Sequence, residues 1–148
     1  MPRPLTTQEA HKFLDSKPGW IVLTTLGPDG FPHTVPLGYF RLGDEILMGV
    51  RAHTLKLRNI GHNPNVSLLL ESGSTMSDIK GLMVQGTATV HTEPDEILHY
   101  SREAARLRGI AEDDLPTEPR PGAAYIRVTP VRIRSWDYSE DPPRAARR

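Results

Sequence analysis

Residues Gly49–Pro64 read GVRAHTLKLRNIGHNP, and the parsing of this stretch decides the rest of the chain. The apolar run leading into it, DEILMGV, reads as a strand. Thr54 to about Ile60 then reads as a short amphipathic helix, ended by Gly61 with Pro64 just beyond. Arg51, His53, Thr54, Lys56 and Arg58 crowd this strand-to-helix junction. A helix start carries unpaired N–H groups and a partial positive charge, so its first turn normally favours Asp or Glu. Placing cations there costs roughly 0.5 kcal/mol each, a penalty that a bound anion would reverse. The residues themselves leave two readings open: a basic helix face in water, or an anion site built from Arg51, Thr54 and Lys56.

Outward from the junction the pattern is mostly β. WIVLTTL (20–26) is β-branched and apolar and stops at GPDG, which predicts strand, turn, strand. FPHTVPLGYF follows as the second strand. Pro32 and Pro36 cannot donate ladder hydrogen bonds, so this strand belongs at an edge, or is irregular or bulged. EILMGV is the third strand and NVSLLLE the fourth. IKGLMVQGTATVH is a long strand whose two glycines predict a bend, and AAYIRVTPVRIRSW is the last. In that last strand Ile126, Val128, Val131 and Ile133 alternate with Tyr125, Arg127, Arg132 and Arg134.

Helices are expected at two further places. LTTQEAHKFLDS carries a capping box, Thr6 with Glu9, and a staple of Leu5 with Ala10. PDEILHYSREAARLR spaces its apolar residues helically from about Asp95 to Arg108. Six short strands with antiparallel-type connections and helices between them fit a small β-barrel with helices packed outside.

Composition narrows the function. The chain has 148 residues, enough for one domain with a sizeable core. The reading is a single domain over residues 1–138, with a charged, proline-bearing tail, 139–148, expected to be disordered. Eighteen basic and eighteen acidic residues cancel, which argues against general nucleic-acid affinity. With no cysteine there is no disulfide, zinc-thiolate site or thiol nucleophile. No apolar run approaches the ~18 residues of a membrane span, and MPRPLTTQEAHKF has no signal-peptide core. A cytoplasmic protein without membrane contact is expected. Dinucleotide, Walker and nucleophile-elbow motifs are missing, and the six histidines lack the pairing of a helical metal site, so no metal is expected. A cofactor can still carry the chemistry.

The order and spacing of DGFPHTVPLGYF, DEILMGV, TLKLRNIGHNPNVSLLL, GLMVQGTATV and VRIRSW, from about Gly19 to Trp136, resemble the pyridoxamine-5'-phosphate oxidase-like superfamily. That resemblance implies a mainly β fold with flanking helices, a split β-barrel of about six antiparallel strands of the FMN-binding type. It implies a homodimer with two equivalent FMN sites at its interface. Thr54 and Lys56 would bind the cofactor phosphate with Arg51 assisting, and His33, Thr34, Val35 and Pro36 would lie along the ring system. Gly49 and Val50 would let the strand pass close to the ribityl chain, and Trp136 would sit at the ring edge or the dimer contact. The implied activity is hydride transfer to or from a small organic substrate, with no residue marked as catalytic acid or base.

Two alternatives stand beside it. The cofactor could be the deazaflavin coenzyme F-420, whose long anionic tail would call on Lys80, Arg51 and Arg58. The protein could instead store or sense flavin or haem, with His33, His53 or His62 as axial ligand. The sequence also departs from the oxidase proper. Leu55 replaces an arginine of the phosphate motif, and Gly81 stands where a flavin-contacting glutamine would fall. DYSEDPP after Trp136 lacks the Arg and His directed at the substrate's phosphate. Pyridoxamine-phosphate oxidase activity itself is therefore not expected.

Overall fold

The computed structural model describes residues 2–139, so most of the predicted tail lies outside the described residues. Three α-helices and seven strands follow in the order α1 (Thr7–Asp15), β1 (Ile21–Leu26), β2 (Pro32–Leu37), β3 (Phe40–Leu42), β4 (Glu45–Arg51), α2 (Leu55–His62), β5 (Asn65–Ser72), β6 (Lys80–His91), α3 (Pro94–Leu107) and β7 (Ala123–Asp137). The strands form one antiparallel sheet in the order β2-β1-β5-β6-β7-β4-β3. Its two end strands are not hydrogen-bonded to each other, so the barrel is split. The predicted second strand is in fact two, β2 and β3, because the chain breaks at Gly38–Tyr39; this is why seven strands appear rather than six. β2 occupies an edge, where its two prolines leave no ladder donor missing on the outer side.

Alternation decides which face is inside. Ile21, Leu23 and Thr25 of β1 are buried, and their neighbours Leu68, Leu70, Leu82 and Val84 continue the same face across β5 and β6. Helices α1 (through Ala10, Phe13 and Leu14) and α2 (through Ile60) close over this inner core. On the opposite face α3 covers only β4 and the first half of β7, through a second cluster of Phe40, Leu47, Ile97, Tyr100 and Tyr125. Edge-to-face contacts such as Phe40–Tyr125, with centroids 6.2 Å apart, hold it together.

The helix ends follow local rules, with one difference. Thr6 accepts from the Glu9 N–H and Glu9 accepts from the Thr6 N–H, both at 3.1 Å, completing the capping box of α1. Helix α3 ends in a Schellman turn: Gly109 lies at φ 85°, with Gly109 N–H to Arg106 and Ile110 N–H to Ala105. Helix α2 does not stop at Gly61. It runs through His62, and Asn63 terminates it in an extended conformation at φ −141°. The residue before a proline is pushed out of the helical region, so Pro64 rather than Gly61 sets this end.

The bend expected in β6 is a β-bulge. Gln85 pairs with Arg132 and Gly86 with Pro130, so Val131 is the extra residue. A Cβ on Gly86 would lie 2.5 Å from the Thr129 carbonyl oxygen, which requires glycine there. Beyond the bulge the predicted inward alternation of β7 is lost: Val131 is 74% exposed and Ile133 50% exposed.

Candidate functional site

The second turn of α2 is anchored to the sheet by a buried polar contact. Asn59 Nδ2 donates to Thr25 Oγ1 at 3.1 Å, and both residues are buried. Gly27 permits this approach, since a Cβ there would sit 2.8 Å from Asn59 Oδ1. Lys56 lies one turn before Asn59 and therefore on the same side of the helix. Thr25 is paired across the ladder with His33 of β2, so His33 shares the inner face with the Asn59–Thr25 contact. The fold thus gathers His33 and the first turn of α2 at one end of β1 and β2.

Several groups at this end lack partners. The Nδ1 of His33 is buried with no hydrogen-bond partner among the described residues. Thr54 is the N-cap of α2 but makes no capping bond; its hydroxyl donates to the Arg51 carbonyl at 3.3 Å. No acidic residue occupies the first turn, and Lys56 has no ion pair among the described residues. His53, at φ 63°, makes the tight turn that brings β4 into the helix. An uncapped helix start, a half-buried lysine and an orphaned imidazole nitrogen are together suited to a phosphate group.

The remaining expected residues scatter around this end. Val35 faces inward beside Leu23, whereas Thr34 and Pro36 face outward opposite Thr24 and Val22, with Thr34 Oγ1 3.1 Å from Thr24 Oγ1. Val50 packs on the inner core. Gly49 faces the other way, under Tyr125, where a Cβ would lie 3.3 Å from the ring. Arg51 is exposed at the end of β4, opposite Ala123.

Trp136 is not part of this grouping within one chain. It lies near the far end of β7, roughly 40 Å along the strand from Ala123 at ordinary strand rise. There its indole covers Gly81, whose added Cβ would fall 2.2 Å from Trp136 Cε2. The residue that replaces the oxidase's glutamine is thus a seat for an aromatic ring. Gly81→Ala is expected to displace the indole and cost about 1–3 kcal/mol of stability by overpacking, read as a lower denaturation midpoint with altered tryptophan fluorescence.

The outer face of the sheet opposite the core carries the feature that sequence reading missed. Pro36, Val22, Leu69 and Met83 lie side by side across β2, β1, β5 and β6. On β7 the row ends against Arg134, with Trp136 two residues along on the same face, and Trp20 (69% exposed) and Phe31 (75%) are further exposed apolar side chains. Each strand shows only one or two of these residues, so no single segment signals the patch. Among the described residues no cluster of His, Cys, Asp or Glu could hold a metal, and no helix is long and apolar enough to cross a membrane.

An antiparallel sheet rolled but left open between two edge strands, with an anion-ready helix start at one end, defines the split β-barrel class. Residues 6–137 match the pyridoxamine 5'-phosphate oxidase family, and the chain belongs to it. No curated protein matches the chain. Among solved structures, it is similar to a conserved hypothetical protein of Mycobacterium tuberculosis, with 26% identity over 94% of this chain and 89% of that one and a TM-score of 0.77. It shares its fold with an F420 reductase (22% identity, 83% and 94% covered, TM-score 0.61). A FAD-binding protein from Mesorhizobium loti also has this fold (18% identity, 91% and 96% covered, TM-score 0.68). The family therefore includes oxidoreductases, and its fold serves flavin and F420 binding alike.

Proposed function

We propose that the protein is an oxidoreductase that binds FMN at a homodimer interface and transfers hydride to or from a small organic substrate. The observation that carries this reading is the buried, unpartnered Nδ1 of His33 on the same sheet end as the uncapped start of α2. The bound flavin would supply the hydride chemistry through its ring. The chain's own contribution is position and exclusion of water. Lys56, the first-turn N–H groups and Thr54 hold the phosphate, Arg51 adds charge at the rim, and His33 Nδ1 gains its missing hydrogen bond. Thr34 and Pro36, on the outer side of the edge strand, face the ring system.

The outer sheet face supports the proposed dimer. The row of Pro36, Val22, Leu69 and Met83, with Trp136 on the same face, is apolar surface that a second copy would bury. Trp136 stands near the opposite end of β7 from Ala123, which pairs with Arg51, so a second copy would be the route by which it meets the cofactor.

Coenzyme F-420 is the second reading, favoured by the exposed Arg51 and Arg58, which have no ion pair among the described residues. Lys80 no longer serves it: its ammonium faces Asp137 at 4.0 Å and lies over the Phe13 ring. Fluorescence-quench titration of cofactor-free protein with FMN and, separately, with F-420 tests both. Saturable binding of FMN is the expected result; preference for F-420 moves the assignment to the deazaflavin, and binding of neither removes the oxidoreductase reading.

A further inference from the structure

A cleft of about 1100 Å³ opens on the face of β4 and β7 turned away from α2, roofed by α3 and the 116–122 loop. It meets the phosphate end along Gly49, Val50 and Arg51 of β4, and its remaining walls lie outside that end. The α2 side is built on the inner core through Ile60, whereas the far wall of this cleft is built on the second cluster, over Tyr125 and Ala123. Its floor is apolar, from Ile97, Ala104 and Ala124. Its rim carries Arg51, Arg108 and Arg120 against a single carboxylate, Glu118.

Seven described arginines, Arg51, Arg58, Arg102, Arg108, Arg120, Arg132 and Arg134, have no ion pair among the described residues, and three of them meet at this cleft. Arg3, Arg41, Arg106 and Arg127 each hold a carboxylate within 3.2 Å. Arg51, Arg108 and Arg120 have no ion pair among the described residues, although all three border one cavity. Arg108 and Arg120 both direct their charge at Tyr125, whose phenol burial pushes up and these two guanidinium groups pull back down. The Tyr125 ring lies on Gly49, and its hydroxyl has no hydrogen-bond partner among the described residues. An apolar floor with a free phenol and unpaired guanidinium forks matches an apolar body bearing an oxyanion.

We propose that this cleft is a binding pocket for a small organic oxyanion, a carboxylate or phosphate ester on an apolar body, held by Arg108, Arg120 and the Tyr125 hydroxyl. Arg51 is shared with the proposed phosphate site, whereas Arg108, Arg120 and Tyr125 lie outside it, so the anion pocket is tested through these three.

The test is a fluorine-NMR titration of the full chain with 4-fluorobenzoate, 4-fluorophenyl phosphate and the neutral 4-fluorobenzamide. Saturable shifts are expected for at least one anion and none for the amide, and the tighter anion identifies the head group. The exposed pair Arg108→Gln/Arg120→Gln is expected to weaken that anion by roughly tenfold or more while leaving FMN titration unchanged. Tyr125→Phe, which keeps the ring packing, is expected to weaken it less. Equal binding of the amide, an unchanged anion affinity in the double variant, or no binding of either anion overturns the proposal. An FMN titration that fails in the parent protein bears on the cofactor site alone.

Discussion

Replacing Lys56 by alanine is expected to weaken FMN binding roughly ten- to a hundredfold while leaving the fold intact. The lysine is half-buried in the first turn of α2 and has no carboxylate partner among the described residues. Its removal therefore breaks no interaction of the protein itself. In the bound state it would make a charge-assisted contact worth about 1.5–3 kcal/mol, and each 1.4 kcal/mol is a factor of about ten. Raising the salt concentration should narrow the difference between parent and variant, because part of the contact is screened. Fluorescence-quench titration gives the affinities, and thermal unfolding of the cofactor-free proteins gives the control. An unchanged affinity would return the junction to the reading of a basic helix face in water.

If the proposed homodimer forms, Leu69→Glu is expected to yield a folded monomer. Leu69 is 37% exposed and sits in the middle of the outer apolar row, between Val22 and Met83. In a single chain the new carboxylate would point to water, so the subunit should keep its fold. Between two copies it would be an unpaired charge in an apolar interface, which costs several kcal/mol. Light scattering coupled to size exclusion reads the mass. Leu107→Glu, at another exposed leucine on α3, should leave the dimer unchanged. Because a second copy would be the route by which Trp136 meets the cofactor, the monomer should also bind FMN more weakly. A parent protein that runs as a monomer, or a variant that still dimerises, would show that this face is not the interface.

The make-up of the junction was readable because it is local. Thr54, Lys56 and the missing acid in the first turn lie within a few residues, and a helix start exposes its N–H groups whatever surrounds it. The same holds for the capping box of α1 and for the exclusion of interior-strand positions to Pro32 and Pro36. Other residues were legible in kind but not in role. Gly49 looked like room for a ligand, yet its missing side chain makes space for Tyr125. Gly81 looked like a lost contact, yet it seats Trp136. A glycine announces close approach but not which atom approaches. His33 was named through the family resemblance, but the burial of its Nδ1 without a partner is a tertiary fact that no local pattern signals.

The sequence by itself determined the local elements: where strands and helices begin, that the chain is charge-balanced, and that one helix start is basic and uncapped by acid. Periodicity and capping act over a few residues, so those features survive without tertiary context. Only the tertiary structure decided how they combine. It set β2 and β3 at opposite edges, placed the extra residue Val131 in a bulge that turns β7 outward, and aligned Pro36, Val22, Leu69 and Met83 into one surface. It also brought Arg51, Arg108 and Arg120 around one cleft. Register across strands and the packing of α3 on one half of the sheet are long-range choices, set by which faces can be buried together rather than by any single segment.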